Sequence, residues 1–358
     1  MSRPFRLPGL VLTMAAAGVL TLPAHAQVVV RSGTAQVEFT GRFHTQFNTT
    51  STSNAVSTEW LVRRARFTAN ITVNDFISGR IMPEFGEGSV KLRDGWVRLT
   101  FSPGVHLTLG QFKRPFDLFQ LTSSTKILVI ERAGSIRGVN ACTGIGGVCT
   151  LSNLTESLGF SDRDVGALAE IHTDRVTYQV AVTNGTGANT PDENGTKSYT
   201  GRVVVAASDA LRIGGNLALK DYVDVVGADD DFALGYGADL EIGTFDSGIH
   251  LQAGVSGGQN WANPDISGDP SNFLTFQGIL TYRYPVNNAG HVSALEPVGR
   301  LSVADPDLDA ENDLGILFTP GLMVHFIGRN KVAANIDVWV PDGGETEWSF
   351  KLQTYLHF

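Results

Sequence analysis

The chain has 358 residues, with 27 basic and 36 acidic side chains and a formal net charge of −9. An acidic chain of this kind argues against a nucleic-acid binder, in which a basic patch normally dominates the domain. Its 40 glycines and 18% charged content suit many short strands joined by turns, and no heptad pattern typical of long helices is present. We therefore expect one large all-β domain.

The N-terminal segment is typical of a signal peptide. Two arginines precede an apolar run over 10–22, and the segment ends on the small-x-small triplet Ala-His-Ala at 24–26. We predict a signal peptide over residues 1–26 and a mature domain over residues 27–358. A retained membrane anchor is the less favoured alternative, because the apolar run is shorter than the roughly 20 residues that a helical span requires.

Apolar and polar residues alternate with a period of two along much of the chain. Between Val37 and Phe47 the odd positions are largely apolar and the even positions polar, and 232–242 and 332–340 repeat the pattern. Successive side chains of a strand point to opposite faces, so each of these strands has one apolar face. A soluble sandwich, with that face turned inward, would give the same alternation.

The connections between the strands favour a membrane barrel over a sandwich. The sequence contains about 16 strand-like runs of roughly the 10-residue length of outer-membrane strands. Short connections at 73–75, 102–104, 172–175, 207–209 and 328–330 alternate with longer ones at 48–58, 113–160, 184–197, 257–271 and 304–312. Short periplasmic turns opposite long external loops are typical of a transmembrane antiparallel β-barrel in the bacterial outer membrane. The connections at 86–90 and 341–345 depart from this rhythm, because they are short on the external side.

The C-terminal strand points to the same fold. Phe350, Leu352, Leu356 and Phe358 fall on one face of a strand that ends the chain. This ending resembles that of outer-membrane barrels, whose terminal aromatic residue is read by the barrel-insertion machinery. An ordinary terminal edge strand is the alternative.

Positive charge is concentrated in one part of the chain. Residues 60–137 hold 12 basic and 6 acidic side chains, which in a barrel would set a local field for a permeant anion. Arginine suits such a site because its planar guanidinium can bind two phosphate oxygens at once. On alternation alone, the polar faces of their strands carry Arg42, Arg64, Arg66, Arg80 and Arg98. Arg63 shares the face of Leu61, so both members of the Arg63-Arg64 pair reach the lumen only with a bulge or near a strand end.

Cys142 and Cys149 are the only cysteines. An exported protein meets an oxidising compartment, so we predict a disulfide that closes this small Gly-rich segment. A metal site is disfavoured, because two thiolates lack further ligands at the usual spacing.

The second half of the chain is acidic. Its carboxylates would oppose anions if they faced the lumen, and they include Asp221, Asp224, Asp229, Asp230, Asp231, Asp239 and Glu241. Alternating carboxylates from Asp305 to Asp313 could bind Ca²⁺ or bridge lipopolysaccharide through divalent ions. Ala310 stands where an EF-hand loop has glycine, so a solvated acidic loop is the favoured interpretation. We predict neither a metal nor a cofactor.

Several runs in the first half resemble the phosphate-selective porin O and P family. The runs are WLVRRAR at 60–66, LRDGWV at 92–97, GQFKRPF at 110–116, LTSSTK at 121–126, ER at 131–132, RDVG at 163–166 and TNGTGAN at 183–189. The resemblance is dense from 39 to 205 and thin afterwards.

That resemblance implies a homotrimer of 16-stranded barrels, each narrowed by a third external loop that folds into the lumen. Here that loop is 113–160; the alternative is a surface loop that never enters the lumen. The family's double-Arg motif lines the constriction, and the resemblance places Asp94, Ser123, Ser124, Lys126 and Arg132 near it. Our predicted constriction set is Arg42, Arg63, Arg64, Arg66, Asp94, Arg98, Lys113, Ser123, Ser124, Lys126 and Arg132.

The function expected from these features is a passive pore for small solutes with a preference for anions such as phosphate. A general diffusion porin with little anion preference is the alternative. A barrel enzyme is much less favoured, because no nucleophile-elbow sequence accompanies the eight histidines and isolated residues do not make a catalytic triad.

Overall fold

The computed structural model describes residues 28–52, 55–192, 194–223, 230–264, 268–287 and 290–358. These residues form 17 strands, two short α-helices and one 3₁₀ turn at Gly86–Gly88. The helices are α1 (Leu118–Leu121) and α2 (Leu151–Ser157). The strands are β1 (Val28–Ser32), β2 (Ala35–Thr52), β3 (Ala55–Thr72), β4 (Ile77–Glu84), β5 (Lys91–Ser102), β6 (Val105–Lys113), β7 (Arg163–His172), β8 (Val176–Thr183), β9 (Ser198–Ser208), β10 (Leu211–Val223), β11 (Asp230–Gly243), β12 (Gly248–Pro264), β13 (Pro270–Pro285), β14 (Ala294–Asp305), β15 (Gly315–His325), β16 (Lys331–Pro341) and β17 (Glu347–His357).

Sixteen of the described strands close into an antiparallel barrel. Each strand from β2 to β17 pairs with the next one along the chain, and β17 pairs back onto β2 from Trp348↔Ser51 to His357↔Arg42. Strand β1 forms a hairpin with β2. The predicted all-β barrel of about 16 strands is therefore confirmed.

The alternation places apolar side chains outside and polar side chains inside. In β2, Phe43 is 40% exposed while its neighbour His44 is fully buried. In β16, Ile336 is 41% exposed whereas Asp337 is 1% exposed. A soluble sandwich would bury the apolar face instead. An apolar exterior around a polar interior is the arrangement of a membrane barrel.

Most of the predicted connections match those of the structure, but two do not. The predicted loops at 48–58 and 257–271 are wrong: β2 and β3 remain paired up to Thr52↔Ala55, and β12 and β13 up to Pro264↔Pro270. The polar run Asn48–Thr52 lacks alternation, which is why a loop was expected. A strand that continues beyond the apolar band has polar surroundings on both faces and needs no alternation.

The C-terminal residue packs at the seam of the barrel. Phe358 N donates to Gly41 O at 3.2 Å, and Gly41 N donates to Phe358 O at 2.7 Å. A Cβ at Gly41 would lie 2.2 Å from Cζ of the Phe358 ring. Gly41 therefore leaves the space that the terminal ring occupies.

None of the helices in the described ranges is long and apolar enough to cross a membrane. The predicted signal peptide over 1–26 and the carboxylates Asp224 and Asp229 lie outside the described residues.

Candidate functional site

The longest connection in the described chain joins β6 to β7 over 114–162 and carries both α-helices. Its apolar side chains Phe116, Leu154 and Phe160 are fully buried in one cluster with Phe273 of β13 and Trp339 of β16. Phe273 and Trp339 belong to the buried faces of their strands. The connection therefore packs against the inner faces of distant strands.

Polar contacts anchor the same connection to two strands, β14 and β16. Ile130 N donates to Asn335 Oδ1 at 2.8 Å, and Arg300 Nη1 donates to the carbonyl oxygen of Glu131 at 2.6 Å. Ser135 N donates to Asp337 Oδ2 at 3.2 Å. These contacts hold the segment around Glu131 in one position.

Cys142 and Cys149 form a disulfide with a Cα–Cα distance of 4.7 Å. Both sulfur-bearing residues are buried in the apolar cluster. The Asn153 side chain donates to the carbonyl oxygens of Gly146 and Val148, each at 2.9 Å. The small loop between the cysteines is thereby fastened to α2.

A β-bulge positions the Arg63-Arg64 pair. In the pairing of β2 with β3, His44 lies opposite Arg64 and Thr45 lies opposite Val62, so Arg63 is the extra residue. The extra residue of a bulge bends its strand and re-aims the side chain. The bulge that the alternation required for both arginines to face inward is therefore present.

Both arginines line a cavity of about 430 Å³ between the barrel wall and the long connection. The charged side chains in its lining comprise six arginines and five carboxylates. The arginines are Arg63, Arg64, Arg66, Arg93, Arg132 and Arg163, and the carboxylates are Glu59, Glu87, Glu131, Glu156 and Asp162. Positive charge therefore exceeds negative charge by one.

Arg63 is held by two carboxylates. Its Nε and Nη2 donate to Glu131 at 2.6 and 2.7 Å, and its Nη1 lies 2.8 Å from Glu87 Oε1. Burial alone would raise the pKa of Glu131, but the charge and hydrogen bonds of Arg63 outweigh burial and lower it to about 2. Glu131 is therefore a carboxylate at every physiological pH.

Arg64 is buried at 3% exposure. Within the described part of the chain, its Nε and Nη1 have no hydrogen-bond partner. An ionised group that is buried and incompletely hydrogen-bonded is unfavourable unless a ligand or water completes its contacts. Arg64 therefore presents donors to whatever occupies the cavity.

Arg42 and Arg66 converge on one hydroxyl. Arg42 Nη1 and Arg66 Nη1 both donate to Ser124 Oγ, the second at 3.2 Å. Arg66 also forms a buried ion pair with Glu84. Arg66 lines the cavity, whereas Arg42 and Ser124 are not among its lining residues.

Asp94 orients Arg163, which is not among the predicted constriction residues. Arg163 Nε donates to Asp94 Oδ1 at 2.7 Å, and Arg163 Nη1 donates to Asp162 at 3.2 Å. Burial opposes ionisation of Asp162, but Arg163 and Arg93 lower its pKa. Arg163 begins the run at 163–166 that resembles the porin family, and this resemblance is the one feature of the sequence that points to Arg163 as a site residue.

The remaining predicted residues divide into two groups. Arg132 lines the cavity and donates to the carbonyl oxygens of Phe119 and Thr122, and Lys113 donates to that of Gln120. Arg98 is paired with Glu170 at 2.5 Å outside the cavity. Ser123 bonds within its own loop, and Lys126 lies over the ring of Phe245 at 5.2 Å. Arg98, Ser123 and Lys126 are therefore not brought together with the arginine cluster.

The interior carboxylates of the second half are paired. Arg202 binds both oxygens of Asp239 at 2.6 and 2.8 Å. Asp337 is held by Arg300 at 2.8 Å and by Lys351 at 2.6 Å. The expected opposition of these carboxylates to anions is thus reduced by neighbouring cations.

The acidic stretch from Asp305 to Asp313 forms turns of its own. Asp307 N donates to Asp305 Oδ1 and Asp309 N to Asp307 Oδ1, each at 3.2 Å. In the described ranges, no group of three or more metal-ligating side chains has the geometry to hold a metal ion.

The model of the phosphate-selective porin O and P family matches residues 37–239. Solved structures share the fold at low sequence identity. The anion-selective porin from Comamonas acidovorans is 13% identical, with a TM-score of 0.64, over 90% of this chain and 100% of that chain. The outer membrane channel DcaP of Acinetobacter baumannii is 11% identical, with a TM-score of 0.63, over 92% and 99%. OmpT of Vibrio cholerae, in its trimer form, is 12% identical, with a TM-score of 0.59, over 90% and 99%. No curated protein matches the sequence.

Proposed function

This chain belongs to the phosphate-selective porin O and P family, and we propose that its channel prefers anions such as phosphate. Family and fold support an outer-membrane channel rather than an enzyme. The anion preference is carried by one observation: Arg64 is buried beside the cavity, and two of its guanidinium nitrogens, Nε and Nη1, have no partner among the described residues.

The arginine cluster suits a doubly charged, oxygen-rich anion. Guanidinium groups stay charged at every relevant pH and present donors in a fixed fork that matches phosphate oxygens. Arg63, Arg64 and Arg66 come from one strand, whereas Arg132 and Arg163 come from the long connection and the strand after it. An anion between them would meet cations from both sides.

The carboxylates of the same cavity favour conduction over tight binding. Glu131 and Glu87 hold Arg63, and Asp162 holds Arg163. A permeant ion must be bound firmly enough to enter a pore and weakly enough to leave it. Five carboxylates beside six arginines would limit how long an anion stays bound. They also support the alternative of a general pore with a weak preference for anions.

We further propose that the 114–162 connection folds into the lumen and narrows it. Its contacts with the inner faces of β13 to β16 support this proposal. Residues 1–26 are a signal peptide and residues 27–358 the barrel. The chain forms a homotrimer in the outer membrane, in contact with lipid and lipopolysaccharide, and the trimer form of Vibrio cholerae OmpT supports this. The strand that ends at Phe358 is read by the insertion machinery.

Planar-bilayer recording of the purified protein tests the proposed preference. In a KCl gradient the reversal potential reports whether chloride or potassium permeates more easily. We expect an anion-preferring potential and a chloride current that falls as phosphate is added. A cation-preferring potential would contradict the arginine constriction. An anion-preferring current that phosphate leaves unchanged would leave only the general pore.

A further inference from the structure

The histidines of the described chain all lie at one end of the barrel. This end, called the short-turn rim, carries the described connecting residues 73–76, 103–104, 173–175, 209–210, 244–247, 286–287, 290–293 and 326–330. Of the seven histidines in the described ranges, six lie on strands next to this rim and one lies in a rim connection. They are His44, His106, His172, His250, His291, His325 and His357.

Three of these histidines face a carboxylate. His250 Nε2 lies 3.0 Å from Glu241 Oε1, His325 Nε2 lies 2.6 Å from Glu296 Oε2, and His172 Nε2 lies 3.8 Å from Glu170 Oε1. All three carboxylates are buried on the inner faces of their strands at 3 to 9% exposure. Each pair carries one negative charge when its histidine is neutral and none when the histidine is protonated.

Cations from nearby strands face all three pairs. Arg98 of β5 binds Glu170 at 2.5 Å, and His106 lies against His172 with ring centroids 5.5 Å apart. Arg212 of β10 binds Glu241 at 3.1 Å. The third pair has Lys331 of β16 directly opposite His325 in the strand register, and Arg283 of β13 is the other cation near it.

The ring of Phe245 packs edge-on against His250 at 4.2 Å, and Lys126 lies over that ring. With these cations present, protonation of the histidine leaves each site neutral or positive.

The remaining strand pair consists of two histidines. His44 Nε2 and His357 Nε2 are 3.0 Å apart across the β2–β17 seam. Two imidazoles at this distance share one proton readily, whereas a second proton is opposed by repulsion. The titratable groups that face this pair are Arg42, Arg64, Arg66, Arg329, Lys331 and Tyr355. The five cations in this set oppose uptake of even the first proton, so we expect the three histidine–carboxylate pairs to supply most of the charge added on mild acidification.

We propose that the histidines of the short-turn rim are selectivity determinants, whose protonation makes the charge of that mouth more positive and shifts the channel toward anions. The charge of a pore mouth sets the local concentration of permeant ions. The inference rests on the proposed function only in taking the barrel as a channel. Acidification is expected to shift the selectivity toward anions, whether the channel prefers anions or cations at neutral pH.

The test uses the reversal potential of the purified protein in a KCl gradient. Both compartments are brought from about pH 7.5 to about pH 5, across the ordinary histidine range. We expect acidification to move the potential of the wild type toward anions. The triple variant H172Q/H250Q/H325Q is expected to lose most of that shift. The three single variants, each losing part of it, keep the test available if the triple variant does not fold.

The matched control is Asp117→Asn, which removes a group of the long connection whose pKa burial raises to about 6. We expect this variant to keep the full shift. A wild type without a shift, or a triple variant that retains all of it, would overturn the proposal. A channel that prefers cations at both pH values but shifts toward anions on acidification would overturn the arginine constriction and support the histidine rim.

Discussion

Arg63 of β3 and Glu131 of the long connection form a two-pronged ion pair, with N–O distances of 2.6 and 2.7 Å. The pair joins the barrel wall to the connection at the edge of the arginine-lined cavity. Arg300 fastens the backbone at Glu131 from the opposite side. Glu131 therefore fixes the connection and neutralises one of the six arginines.

Glu131→Gln should free the Nε and Nη2 donors of Arg63, whose Nη1 stays paired with Glu87. We expect phosphate to block the chloride current at a lower concentration than in the wild type, because these two donors can then bind it. Glu59→Gln is the matched control: it removes the same charge from the cavity lining, but Glu59 binds Asn48 and Arg137 and not Arg63. An equal effect of both variants would mean that net charge alone, and not the release of Arg63, governs phosphate binding.

Asp117 should make the long connection more stable in acid than at neutral pH. Its carboxylate accepts from Phe119 N at 2.8 Å and Thr155 Oγ1 at 2.9 Å, and burial raises its pKa to about 6. Since the folded-state pKa lies above the ordinary value, the stabilising contribution is full below that value and is lost as pH rises through about 6. Hydrogen exchange of α2, corrected for the intrinsic rate, should be slower at about pH 4.5 than at about pH 7.5. Asp117→Asn should remove the difference, and a difference that persists there would contradict this assignment.

Removing the disulfide should loosen the connection and leave the barrel intact. Cross-links of this kind stabilise by about 2 to 4 kcal/mol, and here both sulfurs belong to the apolar cluster that packs on Trp339. We expect Cys142→Ser/Cys149→Ser to show faster hydrogen exchange over 136–160 and a noisier open-channel current. Unchanged exchange in that segment would show that the apolar packing suffices without the cross-link.

Gly41→Val should impair closure of the barrel. A Cβ at Gly41 would lie 2.2 Å from the Phe358 ring, and the two residues exchange both backbone hydrogen bonds. We expect a smaller heat-modifiable, folded fraction on gel electrophoresis. Gly215→Val is the control, since a Cβ there meets nothing within 4 Å. Equal folding of the two variants would contradict a role for the Gly41–Phe358 contact.

The fold was predictable because alternation and turn rhythm follow directly from a strand with one apolar face. Phe43 and His44 illustrate this, since their burial follows their positions in the pattern. Alternation could not predict that β2 continues to Thr52, because strand residues beyond the apolar band no longer alternate.

The candidate site was predictable only in part. Arg63, Arg64 and Arg66 lie in one run, and Arg132 was found through the family resemblance. Arg93 and Arg163 belong to other strands, and only the closed barrel places them beside the first group. The sequence also gave no sign that Asp94 would bind Arg163, because that contact joins residues of strands β5 and β7 that are not neighbours in the barrel.

The most direct test of the central claim is phosphate block of the chloride current in Arg64→Gln. The variant keeps a long polar side chain and removes the buried guanidinium whose Nε and Nη1 lack partners in the described part of the chain. Arg175→Gln, at the exposed turn before β8, removes the same charge far from the cavity. We predict that Arg64→Gln weakens the block by roughly tenfold or more, the loss of one charge-assisted contact, while Arg175→Gln leaves it unchanged. Equal block in wild type, Arg64→Gln and Arg175→Gln would contradict an anion site built on Arg64.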